Sequence, residues 1–344
     1  MRRRLLSSPH SRKPSVRYEN FRDPLGLVRR MLESGDPAAR QALLRAGARI
    51  LATPFDLLLS LFEHRLMARA ADAPASPILL VVGGPRAGTT LVFQVLARHL
   101  EVSSTTNVVD VFPRSPIVAS RLFGALGPQD SDSPLSAFYG NTAPFRGPND
   151  AFEIWNRWLG PDRYQASDAL TPPAIADMRA FFAAWAAAAG RPLLNKNNRN
   201  TGVMGMLAEA LPTAHFIVVE RDPLYMAQSL VFAREVVQGD RGEGWGFGAP
   251  PEGSDPLVSV AKQVAEVARV VARESAKVPP DRLTRVGYEF FCADPGGVIA
   301  AIGDRLGIAH EASGISPLSA SREVRLSPDE FSRLETAVRD QLSD

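Results

Sequence analysis

Hydrophobic and polar positions follow two periods along this chain, and the switches between them mark its elements. From residue 20 to about residue 70 the period is helical. RQALLRAGARIL is followed by PFDLLLSLFEHRLMARA, which Pro54 opens as a second helix. The second stretch carries a continuous apolar stripe, for which packing against a main domain is expected and lying on a membrane is the alternative. ADAPASP (71–77) is a linker by composition.

Beyond the linker the pattern changes. PILLVV (77–82) is near-continuously apolar, as expected of a strand covered on both faces, and TTLVFQVLARHL follows as a helix. IADMRAFFAAWAAAAG is a helix with Gly190 as its C-cap, LLNKN a short strand and VMGMLAEAL a helix. HFIVVE is a strand and PLYMAQSLVFAREV a helix. The long helix VSVAKQVAEVARVVARES precedes the strand RLTRVGYEF, and a closing helix covers about 296–306. This alternation predicts an α/β fold: a P-loop-like, doubly wound, mainly parallel sheet flanked by helices. Residues 107–170, rich in Pro, Gly, Ser and Asp with aromatic islands such as AFEIWNRWL, read as a loop-rich insertion. The chain divides into a basic tail and N-terminal helical segment (1–76), an α/β domain (77–310), and a C-terminal tail and helix (311–344). In such sheets ligands sit beyond the carboxyl ends of the strands, so the residues ending each strand are the ones to inspect.

Composition narrows the picture. The 344 residues fit one large α/β domain with insertions, and 45% hydrophobic with 22% charged residues is ordinary for a soluble globular protein. No apolar run approaches the ~18 residues of a membrane-crossing helix. The start, MRRRLLSSPHSRKPSVR, is basic but lacks the apolar core of a secretory signal, so a cytoplasmic location is the expectation. Arg2, Arg3, Arg4, Arg12, Lys13 and Arg17 precede the first acid, Glu19, and form either a solvated arm or a contact for anionic lipid. A net charge of +2 is too small for a general nucleic-acid binder. The lone Cys292 makes neither an internal disulfide nor a cysteine-type metal site.

The first candidate chemistry lies at GGPRAGTT (83–90). Gly83 and Gly88 have the spacing of G-x-x-x-x-G-K-[ST], with Thr89 at the lysine position and Thr90 at the Ser/Thr position. Gly84, Pro85, Arg86, Ala87, Gly88, Thr89 and Thr90 therefore form a candidate phosphate loop. Backbone N–H groups of a Gly-rich turn, with the positive end of the following helix, bind a doubly charged oxyanion without side-chain help. The two threonine hydroxyls add donors and Arg86 supplies a cation. Missing is the lysine that reaches the β- and γ-phosphates of a triphosphate. HFIVVE runs into Glu220-Arg221-Asp222-Pro223 rather than an aspartate placed to hold Mg²⁺. A phosphate ligand bound without metal fits better than Mg·ATP.

That same segment offers a second anion site. Arg221 ends a strand, Asp222 caps the next helix and Pro223 suits its first turn. Ser229 lies two turns in, about 10 Å from the helix start. An Arg–Ser pair can hold an isolated phosphate monoester by charge-assisted bonds. The alternatives are an ion pair of Arg221 with Glu220 or Asp222, and a surface hydroxyl at Ser229.

GGPRAGTT followed by RDPLYMAQS resembles the sulfotransferases that use 3′-phosphoadenosine-5′-phosphosulfate (PAPS). In that family a PKSGTT- or PRSGTT-like loop binds the 5′-phosphosulfate, and an R-[DN]-P-x-x-x-x-x-S segment holds the 3′-phosphate. The resemblance spans about residues 77–310 and is nearest to the bacterial branch related to the tyrosylprotein and heparan type, with Arg86 in place of the cytosolic enzymes' lysine. It implies that Arg86, Gly88, Thr89 and Thr90 bind the phosphosulfate, that Arg221 and Ser229 hold the 3′-phosphate, and that no metal is needed. YEFF (288–291) is similar to the YED-like strand of such enzymes.

Sulfuryl transfer to a hydroxyl or amine needs cations beside the transferred oxygens and a proton acceptor at the nucleophile. Arg86 is one cation. Lys196, ending the strand LLNK, is the second, with Arg199 a weaker substitute. Asn198 stands where the family has proline. Tyrosylprotein-type relatives carry a glutamate beyond the loop arginine, and here Asn107 lies near its position, with Asp110 three residues on. Asp150, Glu153 and Asp110 are the candidate bases, in that order. Asp150 and Glu153 would share a helix face beside Trp155 and Trp158, where desolvation raises a carboxylate's proton affinity. RGEGWGFGAPP (241–251), with Trp245 and Phe247, is a loop over the acceptor or adenine, or a plain connection. In relatives C-terminal basic segments close over the nucleotide, which would involve Arg322 and Arg325. The aromatic content of 107–170, on the acceptor side, points to a small-molecule, carbohydrate or lipid acceptor. Oligomeric state is open. The competing functions are a degenerate P-loop kinase or nucleotide hydrolase, and a non-catalytic nucleotide-binding relative.

Overall fold

A computed structural model of the chain describes residues 21, 23–123, 135, 137–140, 142–143, 145–162, 166–167, 169–249 and 255–343. The basic tail therefore lies outside the described residues. Helices α1 (Pro24–Glu33) and α2 (Pro37–Ala68) come first. Then follow β1 (Ile78–Gly83), α3 (Thr89–His99), the two-residue β2 (Ser103–Ser104) and the short helices α4 (Val108–Val111), α5 (Pro116–Phe123) and α6 (Phe152–Leu159). After α7 (Pro172–Ala189) come β3 (Leu193–Lys196), a 3₁₀ turn (Asn198–Val203), α8 (Met204–Ala210), β4 (Ala214–Glu220), α9 (Pro223–Gln238) and α10 (Pro256–Ser275). The chain closes with β5 (Leu283–Gly287), α11 (Tyr288–Ala293), α12 (Pro295–Leu306) and α13 (Pro328–Ser343).

The five strands form one parallel sheet in the order β2-β3-β1-β4-β5. This is the doubly wound α/β architecture that the alternating pattern predicts. Every residue of β1 is buried. Because side chains alternate across a strand, Ile78, Leu80 and Val82 face the α7–α10 side with Phe216 and Val218, whereas Leu79 and Val81 face α3, α11 and α12 with Ile217 and Val219. Register places Gly83 beside Val219, so β1 and β4 end together at one edge of the sheet.

Three local expectations change. Pro54 does not open a helix; it sits inside the continuous α2. The carbonyl that its missing N–H leaves without a helical partner belongs to Ile50, on the exposed side, where water can take it. Strand β5 stops at Gly287, and YEFFCA is helical: Tyr288, Phe291 and Cys292 bury at helix spacing against α12 and the strands. β2, which pattern reading missed, is a polar two-residue edge.

The largest departure is α2. Leu59, Leu66 and Met67 pack on the domain as expected, and Phe55 meets Phe112 and Phe123 edge-on, but most of the apolar stripe faces outward while the polar residues turn inward. Arg45 Nη1 donates to the Thr142 carbonyl at 2.9 Å, and Arg49 pairs with Glu153 at 2.9 Å. Asp56, fully buried, accepts from the Ser115 hydroxyl at 2.7 Å and the Arg114 N–H at 3.1 Å. Glu63 accepts the Ile117 and Val118 N–H groups at 3.1 and 3.0 Å. These are N–H groups of the first turn of α5, which α2 thereby caps from outside. Burial pushes the Glu63 carboxyl up to about 7 against the pull of those two bonds.

Candidate active site

The loop between β1 and α3 turns on Gly88, whose φ of 91° is left-handed. A Cβ there would lie 2.2 Å from the Tyr288 ring, so only glycine fits. Arg86 also has a positive φ, 69°, which for a residue with a Cβ stores about 1–3 kcal/mol of strain. The loop is fastened from the 3₁₀ turn. The Gly83 N–H donates to Thr201 Oγ1 at 2.9 Å, and that hydroxyl donates back to the Gly83 carbonyl at 3.0 Å. The Thr89 hydroxyl donates to Asn198 Oδ1 at 2.9 Å. Asn198, in place of the proline that the resemblance leads one to expect, thus ties the end of β3 to the loop.

Three arginines converge beside this loop. Arg86 Nε donates to Ser229 Oγ at 2.9 Å, and its guanidinium lies 5.1 Å from the Tyr139 ring centroid. Arg221 donates through Nη1 to the Arg86 carbonyl at 3.0 Å and through Nη2 to the Ser321 carbonyl at 2.6 Å, with its guanidinium 4.8 Å from the Tyr288 ring. Arg325 stacks on Phe232 at 4.1 Å. Among the described residues none of the three forms an ion pair; Glu220 is taken by Arg285. Arg221 Nε is buried without a hydrogen-bond partner. Burial lowers the proton affinity of Arg86; the Tyr139 phenol opposes this, and the charges of Arg221 and Arg325 add to the lowering. An anion would satisfy the orphaned N–H and relieve the repulsion. The expected pairing differs in one respect: Ser229 is engaged by Arg86, not by Arg221.

These groups line one cavity of about 630 Å³, together with Pro85, Gly88, Thr89, Thr90, Lys196 and Asp150. Gly84 and Ala87 complete the loop but face away from it. Lys196 Nζ donates to Asp150 Oδ2 at 2.7 Å; the lysine is 3% exposed and the aspartate 17%. The Asp150 carbonyl accepts from Asn197 Nδ2 at 3.2 Å, which fixes the start of the α6 turn against β3.

The other two candidate bases sit elsewhere. Glu153 points to Arg49 on α2 and does not line the cavity. Asp110 accepts from Asn149 Nδ2 at 2.7 Å and faces Arg45 Nε at 3.9 Å, also off the cavity. Asn107 is fully buried, donating to Thr142 Oγ1 and accepting from Asn149, so it organises the insertion instead of reaching an acceptor. Nor do the tryptophans flank a base. Trp155 donates to Asn195 Oδ1 and packs on Phe182, and Trp158 packs on Phe181 and Phe182. Arg199 lines the cavity but donates to Asn156 Oδ1 and the Gly160 carbonyl. Arg322 is exposed and off the cavity.

A match to the sulfotransferase family extends over residues 77–312. The chain belongs to the sulfotransferase family. Its fold is also that of solved members. It is similar to sulfotransferase STF1 from Mycobacterium tuberculosis H37Rv (14% identity, TM-score 0.54, covering 94% of this chain and 92% of that one). It is similar too to sulfotransferase STF9 from Mycobacterium avium (16% identity, TM-score 0.47, covering 92% and 77%). No curated protein matches.

Several residues in or behind the cavity escaped sequence reasoning. Tyr139, in the insertion, reaches Arg86 from far along the chain, and nothing local marks it. Thr201 looks like an ordinary turn residue until its bonds to Gly83 are seen. The C-terminal segment is held by Gln228, which donates to the Glu323 carbonyl at 2.8 Å and accepts the Arg325 N–H at 2.8 Å. Gln228 immediately precedes Ser229 in RDPLYMAQS, so that motif was a signal for this tether too. The Trp245–Phe247 loop is pinned by Gln263, which donates to the Trp245 and Phe247 carbonyls at 2.8 and 3.0 Å, and Trp245 meets Tyr139 edge-on.

Proposed function

We propose that this sulfotransferase moves the sulfuryl group of PAPS to a hydroxyl or amine of a small acceptor, such as a carbohydrate, lipid or aromatic alcohol. One observation carries this reading: the loop with Arg86 and the strand-end Arg221 share a single cavity, and neither arginine has a carboxylate partner among the described residues. PAPS supplies a sulfuryl group on a phosphate leaving group and a second phosphate on the ribose, and three arginines around one cavity suit such a ligand.

In this reading the backbone of Gly88, Thr89 and Thr90 at the start of α3 holds the phosphosulfate end, and Arg86 balances the charge gathering on the departing phosphate. Arg221, with its orphaned Nε, receives the ribose phosphate. Ser229 serves that phosphate or continues to orient Arg86. Lys196 supplies the second cation at the transfer point. Asp150 is the proton acceptor: Oδ2 is held by Lys196, and Oδ1, which carries no hydrogen bond among the described residues, is left to take the acceptor's proton. Trp245, Phe152 and Tyr139 form the aromatic wall against which an apolar or sugar ring would lie.

Titration calorimetry with adenosine 3′,5′-bisphosphate tests the donor half. Binding that exceeds Mg·ATP and weakens in Arg221→Ala supports the assignment. Equal affinity in that variant, or preference for Mg·ATP, overturns it in favour of a nucleotide-phosphate enzyme. Labelled PAPS with a panel of hydroxyl and amine acceptors tests the transfer; bisphosphate binding without any transfer would mark a non-catalytic relative.

A further inference from the structure

The inverted helix α2 carries an inference independent of the donor reading. Its acids, Asp56 and Glu63, and its Arg45 are buried against the domain, while Leu44, Ile50, Leu51, Phe55, Leu58 and Phe62 are exposed, Ile50 at 74% and Leu51 at 84%. An ordinary surface helix does the reverse. From Leu44 to Phe62 the exposed side carries no charged residue, a stretch of about 27 Å at ~1.5 Å per residue. At 100° per residue these positions, with Leu57 and Leu61, spread over about half the helix circumference. That is wider than the narrow seam through which two helices pair. It is the width of a helix lying in a bilayer interface.

Charge selects between the two covers such a face could have. Arg40 at one end and Arg65 and Arg69 at the other are exposed and share the angular sector of Leu51 and Leu58. In a symmetric pair of copies along this face, Arg40 would meet Arg65 and Arg69 when antiparallel, or its own twin when parallel. Both arrangements set like charges together. An anionic headgroup layer accepts cations at both ends while the apolar centre sinks below it. No described helix is long and apolar enough to cross a membrane, so a contact of this face is peripheral. We propose that the outward face of α2 seats on a bilayer bearing anionic lipid.

The full chain is tested by co-sedimentation with vesicles of phosphatidylcholine alone or mixed with phosphatidylglycerol. Binding is expected to the mixed vesicles, to weaken with salt, and to fall about fivefold for each of Arg40→Gln, Arg65→Gln and Arg69→Gln. The double variant Leu51→Ser/Leu58→Ser is expected to lose vesicle binding by about tenfold or more. Both leucines are exposed, so its thermal midpoint should match the parent, which separates loss of docking from loss of fold. Three results overturn the proposal: no partition to the mixed vesicles, unchanged partition in the double variant, or a stable dimer in sedimentation velocity that the same variant dissolves. The last would make this face an interface between copies.

Discussion

In the proposed reading the cavity has a donor half and an acceptor half, and the two are built differently. The donor half rests on adjacent parallel strands whose ends are fixed by register, with Gly83 beside Val219 and the arginines reached within a few residues of each strand. The acceptor half is drawn from the insertion, where Tyr139 and Asp150 are brought in by loops and a short helix, and meets the sheet through the Lys196–Asp150 pair. A ligand common to a whole family can be held by the shared scaffold, whereas an acceptor particular to one member needs replaceable parts. The difference teaches where to look for each: strand ends for the donor, inserted loops for the acceptor.

Variants can break that division or sharpen it. Asp150→Asn should lower kcat by about 10²–10⁴ while bisphosphate affinity stays unchanged, because it removes the proposed proton acceptor and its ion pair with Lys196 while leaving Arg86, Arg221 and the Gly88–Thr90 backbone as they are. A parallel loss of donor affinity, read by calorimetry, would mean that the halves are not separate. Arg221→Ala should do the opposite, weakening bisphosphate binding by about 10–100-fold, since a charge-assisted contact contributes about 1.5–3 kcal/mol. Glu63 tests the support beneath the acceptor half. Its folded-state value of about 7 lies above its ordinary 4.5, so the unfolded chain releases its proton first as pH rises. Stability should therefore fall by about 3 kcal/mol between those two pH values and level off above them. Glu63→Gln should remove that slope in pH-dependent chemical denaturation. Smallest of all, Glu153→Gln and Asp110→Asn should leave kcat close to the parent in steady-state assays, because both carboxylates are turned to arginines of α2 and away from the cavity.

Legibility followed the same line. GGPRAGTT could be read because the glycine spacing, the buried strand before it and the helix after it are all local. RDPLYMAQS was legible for the same reason, down to Asp222, which caps α9 by accepting the Leu224 N–H at 2.9 Å. The choice among Asp150, Glu153 and Asp110 was not. What separates them is the partner each finds, Lys196, Arg49 and Asn149, all distant in sequence. The helical period of α2 was also legible, but a period gives the presence of a stripe and not the direction in which the domain lies. There the buried carboxylates, needed to cap α5, decided the orientation.

Arg86, Arg221 and Arg325 crowd together with no ion pair among the described residues to offset them, so part of the folding free energy works against their mutual repulsion. Occupancy and endurance are therefore linked: an anion bound at a hundred times its Kd adds about 2.7 kcal/mol to the folded state. Melting temperature becomes a gauge of what fills the crevice. Sulfate or phosphate in a storage buffer should raise it, and such ions should compete with the nucleotide as they do so. If the proposed transfer holds, expelling the spent bisphosphate would return the protein to its least comfortable state, and product departure would act as a brake on the rate.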